Sequence, residues 1–253
     1  RWRLFAFADR RSVDFQDQRI DPLWLGAGVR YRFGRLDAEA AVVRANDHVG
    51  DTGLRASVGW QFNDSWHAGL MAARNDPEAS MQARAAGITA DSVGAQVDYR
   101  RSERTHWMFG ASRFRYDDGN HRELFSTSVE QRLLTRPRWL IDGLASAYTS
   151  RGSRDDAPYF NPKRDRMVEI GLRVDQQLWR HYERHFRHRL TVSLGDYWQD
   201  GFGSALVPSV SYMHEWQIGQ GRVLEYGVRW SRPVYDGHRE RHIGFEAALR
   251  WGD

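Results

Sequence analysis

Three groups of side chains have types and spacings that could do chemistry. His181, His185 and His188 stand four and three residues apart, a spacing that shares one face only on a helix and could there bind a divalent metal. Arg180, Arg184, Arg187 and Arg189 crowd the same stretch and would repel a cation. The stretch also reads as a turn and strand start, so no metal site is expected, and His238 and His242 are read the same way. Asp117, Asp118 and Asn120 around Gly119, and the Asp155–Asp156 pair, offer oxygen ligands of the kind Ca²⁺ takes. Solvated turns use the same residues, and no cofactor is expected. The chain has no G-x-S-x-G elbow, P-loop or dinucleotide fingerprint. It has no cysteine either, which removes disulfides and thiolate chemistry. An enzyme is not the expected reading.

Charge is abundant but not concentrated. The 253 residues carry 37 basic and 33 acidic side chains, and Lys163 is the only base that is not arginine. They are interleaved along the chain rather than gathered in the stripe that nucleic acid requires, so no nucleic-acid partner is expected. Their order is of another kind. Leu54, Ala56, Val58 and Trp60 alternate with Arg55, Ser57 and Gly59. Val168, Ile170, Leu172 and Val174 alternate with Glu169, Gly171, Arg173 and Asp175. A period of two sustained over this length makes strands with one apolar and one polar face.

Fourteen such segments are predicted, at 2–10, 22–33, 36–44, 53–62, 66–73, 91–100, 105–116, 122–133, 139–148, 166–178, 186–195, 205–216, 223–231 and 241–251. Short links at 34–35, 63–65, 101–104, 135–138 and 218–222 are set against mostly longer polar links at 11–21, 45–52, 74–90, 149–165, 196–204 and 232–240. No apolar run approaches the roughly twenty residues of a transmembrane helix. Several strands do reach the nine to eleven residues that cross a bilayer as a barrel. Tyr31, Phe33, Trp60, Phe62, Trp66, Trp107, Trp139, Trp216, Trp230 and Trp251 sit near strand ends, where an interfacial girdle belongs. The fold expected is all-β, a transmembrane antiparallel up-and-down β-barrel with 14 strands spanning residues 1–253, lying in the bacterial outer membrane. The longer links, 149–165 and 196–204 among them, should face the cell exterior.

With the apolar faces in lipid, the charged faces line a lumen. Asp37, Glu39, Asp98, Glu130, Asp142, Glu169, Asp175, Glu215, Glu225 and Glu246 point inward, with Arg30, Arg32, Arg55, Arg100, Arg132, Arg173, Arg189, Arg229 and Arg250. Many of these should be Arg–carboxylate ladders bracing the wall. Asp98, Asp142, Glu169, Glu225 and Glu246 hold mid-strand positions where a passing solute comes within reach. Tyr197 and Trp198, at a strand end, complete the candidate path. Small residues on the same faces (Gly26, Gly28, Ser57, Gly59, Gly69, Gly94, Gly171, Gly227, Gly244) should keep parts of the bore open.

Six segments carry more than periodicity. They are Gly87-Ile88-Thr89-Ala90-Asp91, Asp118-Gly119-Asn120-His121-Arg122, Pro158-Tyr159-Phe160-Asn161-Pro162-Lys163-Arg164-Asp165, Trp179-Arg180-His181-Tyr182, Asp196-Tyr197-Trp198-Gln199 and Tyr235-Asp236-Gly237-His238-Arg239-Glu240. In this order they resemble the carboxy-terminal barrel of the poly-β-1,6-N-acetylglucosamine export porins (the PgaA/HmsH family). The resemblance implies a sixteen-stranded barrel after a periplasmic tetratricopeptide-repeat region. Arg1 to Phe5 then looks like a third strand, with the first hairpin and the repeats upstream. It further implies a partly de-N-acetylated, cationic polymer as cargo, a periplasmic polysaccharide deacetylase as partner, the outer-membrane bilayer as surroundings and a monomeric barrel. The alternatives are a general or small-solute porin and, further off, a barrel lipase or protease.

Overall fold

The structure, a computed structural model, describes residues 1–15, 18–46, 52–76, 79–154 and 156–251, and it describes no side chains between 11 and 20. Asp155 of the acidic pair and the centre of the 45–52 link lie outside the described residues. The elements run β1 (Trp2–Phe15), β2 (Gln18–Ile20), β3 (Leu23–Phe33), β4 (Leu36–Asn46), β5 (Thr52–Gln61), β6 (Trp66–Arg74), α1 (Met81–Ala85), β7 (Ala90–Ser102) and β8 (Thr105–Tyr116). They continue with β9 (His121–Arg136), β10 (Trp139–Gly152), β11 (Arg164–His181), β12 (Arg184–Gln199), β13 (Gly203–Gly219), β14 (Arg222–Ser231), β15 (Val234–Tyr235), β16 (His238–Arg239) and β17 (His242–Trp251).

Each long strand pairs antiparallel with its neighbour in sequence, and β1 pairs with β17, from Leu4–Trp251 to Val13–His242. That last ladder closes a ring of fourteen strands and leaves no edge. The small strand β2 extends the sheet beside β1, and β15 with β16 forms a separate hairpin.

Alternation decides what each face meets. Val168, Ile170 and Leu172 are exposed on the outside, as are Leu54, Val58, Leu70, Val93, Val97, Val192, Leu194 and Phe245. A continuous apolar surface of this extent exceeds what a protein in water shows and marks a lipid-facing belt. Among the described residues no helix is long and apolar enough to cross a membrane. Outward aromatics gather at the rim where Gly34–Arg35 and the other short turns lie. Trp2 packs on Tyr31 with ring centroids 4.5 Å apart, Trp66 on Tyr99 at 4.5 Å and Phe186 on Trp216 at 4.1 Å. Trp230 alone of the expected girdle residues belongs to the opposite rim, since β14 runs away from the short turns.

The strands outrun their sequence limits at the long-link rim. β12 continues to Gln199 and β13 begins at Gly203, so the expected 196–204 loop is a turn at residues 200–202. Asp196 to Gln199 find partners in Gly203 to Leu206, and that pairing wins over their turn-like composition. The 149–165 link shrinks likewise to 153–163. The segment after β6 folds inward. Ser80 accepts a hydrogen bond from the Ala83 amide at 3.4 Å to start α1. Ala83 is buried with Ala90, Tyr116 and Tyr159, and Met81 packs on the inward Trp24, Val43 and Ala45.

Candidate functional site

The inward faces make three zones. At the long-link end, side chains of three links cover the bore. Tyr159 donates to Asp118 Oδ2 at 3.2 Å and accepts from Asn120 Nδ2 at 2.9 Å. Burial pushes its hydroxyl up, so it stays protonated for that role. Asp117 accepts from the Thr89 amide at 3.1 Å and hydroxyl at 2.9 Å, tying this turn to the 75–89 segment. The carboxylates of the possible Ca²⁺ turn are therefore used to lock links together. Beneath lies buried Asp165, which accepts from Arg122 at 2.8 Å, Tyr197 at 3.3 Å, Tyr148 at 3.4 Å and the Ser150 hydroxyl. Phe160 and Tyr235 pack above with ring centroids 4.4 Å apart, tilted by 57°.

The middle zone is a cavity of about 590 Å³, lined by Ser128, Ser146, Glu169, Thr191, Ser193, Ser209, Ser211, Arg229 and Glu246 among others. Its hydroxyls lie in a belt across β9 to β13, because Ser128 pairs in register with Ser146, and Ser193 with Ser209. Glu169 accepts from Ser146 at 3.5 Å and from Ser193, and Ser193 is 2.5 Å from Ser209. Glu246 pairs with Arg229 at 3.0 Å.

Toward the short turns the wall is braced. Asp142, 1% exposed, is held by Arg132 and by Arg173 at 2.9 Å. Arg173 also meets Glu130, and Asp175 at 3.5 Å, while Arg189 reaches Asp175 at 2.8 Å. Arg187 and His185 hold Glu215 at 2.7 Å and 3.3 Å, and Arg250 holds Glu225. On the other side His67 bridges Asp37 at 3.0 Å and Asp98 at 3.4 Å, and His106 meets Asp98 at 3.0 Å. These groups border a second void of about 500 Å³.

The seven candidate path residues therefore separate. Asp98, Glu225 and Glu246 face the lumen but are held by histidine or arginine, and Asp142 is sealed inside the wall. Among the described residues Glu169 forms no ion pair, and hydroxyls are its partners. Tyr197 points inward and is buried against Asp165. Trp198 is not on the path: the next residue of a strand must face the other way, and its ring lies outside beneath Arg166. The three metal-spaced histidines also part, His185 to Glu215, His188 to Gln176 and Tyr212, and His181 to the ring of Tyr182.

Two features were missed in the sequence. Phe5 and Phe7 of β1 face inward opposite Gly28 and Gly26, their register partners. A Cβ on Gly26 would stand 2.3 Å from the Phe7 ring. Those glycines therefore seat aromatic rings rather than open the bore, and Gly227 seats Met213 in the same way. The signal was hidden because residues 4–8 of β1 are apolar on both faces, with Arg3 and Asp9 marking the inward side only at the ends of that run. The histidines around Asp98 were the other omission; their inward positions in β6 and β8 would have revealed them.

A closed antiparallel barrel with a lipid belt, an aromatic girdle and a charged lumen is an outer-membrane β-barrel. The match goes further than that class. The chain belongs to the PgaA membrane beta barrel domain family, whose pattern covers residues 1–251. It is 28% identical over 249 residues to the poly-beta-1,6-N-acetyl-D-glucosamine export protein of Escherichia coli (strain K12), covering 97% of this chain. The chain spans 30% of that relative's length. A solved bacterial polysaccharide outer membrane secretin superposes with a TM-score of 0.86 at 22% identity, over 99% of this chain and 98% of that one. A monoaromatic hydrocarbon channel, CymD, gives 0.57 at 8% identity, over 100% and 88%. These two likenesses concern the fold alone.

Proposed function

We propose that this barrel is the outer-membrane conduit through which poly-β-1,6-N-acetylglucosamine leaves a Gram-negative cell for its biofilm matrix, acting passively and not as an enzyme. The observation that carries the reading is the family match across the whole barrel, lumen strands included. The lumen suits such cargo. A polymer must slide, so contacts should be weak, repeated and exchangeable. The hydroxyl belt of the central cavity offers such contacts to sugar hydroxyls and acetamido groups, and Glu169 offers a charge to the ammonium of a de-N-acetylated unit. Phe5 and Phe7 give sugar C–H faces an apolar wall. The monomeric barrel would work with a periplasmic tetratricopeptide-repeat region upstream and a polysaccharide deacetylase acting there. Deletion of the gene tests the reading: surface-bound polymer, stained on intact cells, should vanish and return with the full-length gene. Undiminished polymer after deletion, together with lost uptake of small solutes, would make it a general porin.

A further inference from the structure

The outer face near the long-link rim carries an arginine patch in which the lumen has no part. Arg113 on β8, Glu123 on β9, Arg151 on β10 and Arg164 on β11 form one row. Arg113 is the register partner of Glu123, Glu123 of Arg151, and Arg151 of Arg164. Their neighbours Ser150 and Asp165 are buried on the inside, whereas Arg113, Arg151, Arg164 and Arg166 are exposed outside. Arg166, two residues along β11, lays its guanidinium 4.9 Å from the Trp198 ring centroid.

Arg151 and Arg164 stand directly opposite each other, and like charges in that relation destabilise a sheet. Among the described residues none of these four arginines forms an ion pair, unlike Arg132, Arg173 and Arg189 in the lumen. The row itself thus sets three arginines against one carboxylate, Glu123. On the β12 side Asp196 pairs in register with Val168 and Asp200 donates its amide to the Arg164 carbonyl oxygen, and among the described residues neither carboxylate forms an ion pair with these arginines. Depth says which anion fits. Outward positions along β11 run Arg164, Arg166, Val168, Ile170, Leu172, and the last three are exposed and apolar. Outward neighbours on a strand are about 6.8 Å apart, so Arg164 stands roughly 13 Å of strand beyond Val168, past the aromatic level of Phe125 and Trp198. That is headgroup depth. The rim with the longer links is the extracellular one, where the leaflet is built of phosphorylated glycolipid.

We propose that Arg151, Arg164 and Arg166, with Arg113, bind the phosphate groups of the outer-leaflet glycolipid, the lipid A part of lipopolysaccharide. The guanidinium fork matches phosphate oxygens with paired charge-assisted hydrogen bonds. A phosphate between Arg151 and Arg164 turns their mutual repulsion into a shared attraction, while the Trp198 ring packs against Arg166 beside it.

The test uses the full-length protein folded in detergent, offered bisphosphorylated lipid A, fully dephosphorylated lipid A or phosphatidylglycerol. Bound lipid is counted by native mass spectrometry. The wild type should retain bisphosphorylated lipid A, and the R151Q/R164Q/R166Q variant should bind it roughly tenfold more weakly. R44Q, which removes an outward arginine of β4 outside the patch, should bind as the wild type does. Heat-modifiable gel mobility checks folding; should the triple variant fail to fold, R164Q alone should weaken retention about threefold. Equal retention by wild type and folded variant overturns the proposal. So does equal retention of dephosphorylated lipid A or phosphatidylglycerol by the wild type.

Discussion

Arg173 Nη2 stands 2.9 Å from Asp142 Oδ2, across the neighbouring strands β10 and β11, and Asp142 is 1% exposed. The same guanidinium reaches Glu130 on β9, so one side chain ties three strands together. Breaking a buried ion pair by removing one partner costs about 3–5 kcal/mol. Arg173 keeps Glu130 and Asp175 while Arg132 loses its carboxylate, so Asp142→Asn should fall within that range. The folded, fast-migrating band should then unfold at a lower temperature on a heat-modifiable gel, whereas transport per folded barrel should stay at the wild-type level. A variant as heat-resistant as the wild type would show that this pair does not brace the wall.

Glu169 is the contrasting case. It lines the central cavity and its partners are serines. Two opposite charges about 4 Å apart attract by roughly 1 kcal/mol in bulk water and about 4 kcal/mol at an effective dielectric of 20. A wet bore lies between, enough to bias entry without holding the chain. Glu169→Gln keeps the hydroxyl contacts and removes the charge. Export of de-N-acetylated polymer should drop severalfold at unchanged barrel stability, and fully acetylated polymer should be unaffected. Equal loss of both polymers would mean that the charge does not act on the ammonium.

The sequence made the ring of strands legible because most inward charges sit one residue from an outward apolar side chain, as around Glu169 and Arg173. What alternation does not specify is register. Which arginine meets Asp142 depends on how β9, β10 and β11 slide against each other, and a bulge between Ile141 and Asp142 shifts that register near the short-turn end of β10. The inward aromatics of β1 escaped for a different reason. Leu4 and Ala6 face out while Phe5 and Phe7 face in, so within residues 4–8 polarity gives no sign of the face, and only Arg3 and Asp9 at the ends mark it. Strand ends were read short where Asp196 to Gln199 looked like a loop. Pairing with β13 is a tertiary fact, and local composition carries no trace of it.

Glycine positions give a comparison that needs no cargo. A Cβ on Gly28 would meet the Ala40 carbonyl oxygen at 2.5 Å as well as the Phe5 ring. One on Gly59 would meet His67 Nε2 at 2.4 Å and Asp37 Oδ1 at 2.7 Å, both ends of side chains that can turn aside. Overpacking costs about 1–3 kcal/mol. Gly28→Ala should sit at the upper end, because a ladder carbonyl cannot move without its strand. Gly59→Ala should cost less and release the His67–Asp37 contact. Thermal unfolding of the two variants checks the order, and a more damaging Gly59→Ala would reverse the argument.

The 153–163 link supplies the last prediction. Arg154 donates to both carboxylate oxygens of Asp156 at 2.9 Å each, and these hydrogen bonds hold the Asp156 carboxyl below its ordinary value. A depressed carboxylate stabilises the closed link above its open-link pKa and loses that contribution as pH falls through the lowered value. Arg154 also donates to the Asp118 carbonyl, so the contact is joined to the cover of the bore. Hydrogen exchange in residues 153–163 should therefore quicken as pH drops below the usual carboxylate range, after correction for the intrinsic rate. Asp156→Asn should remove the pH dependence, and high salt should weaken it because the pair is exposed. At neutral pH, protease added to intact cells should cut within 153–163 before it cuts at 200–202. That turn presents three residues between paired strands, too few to enter a protease cleft without unzipping β12 from β13. First cleavage at 200–202 would mean that those strand ends are open in the membrane.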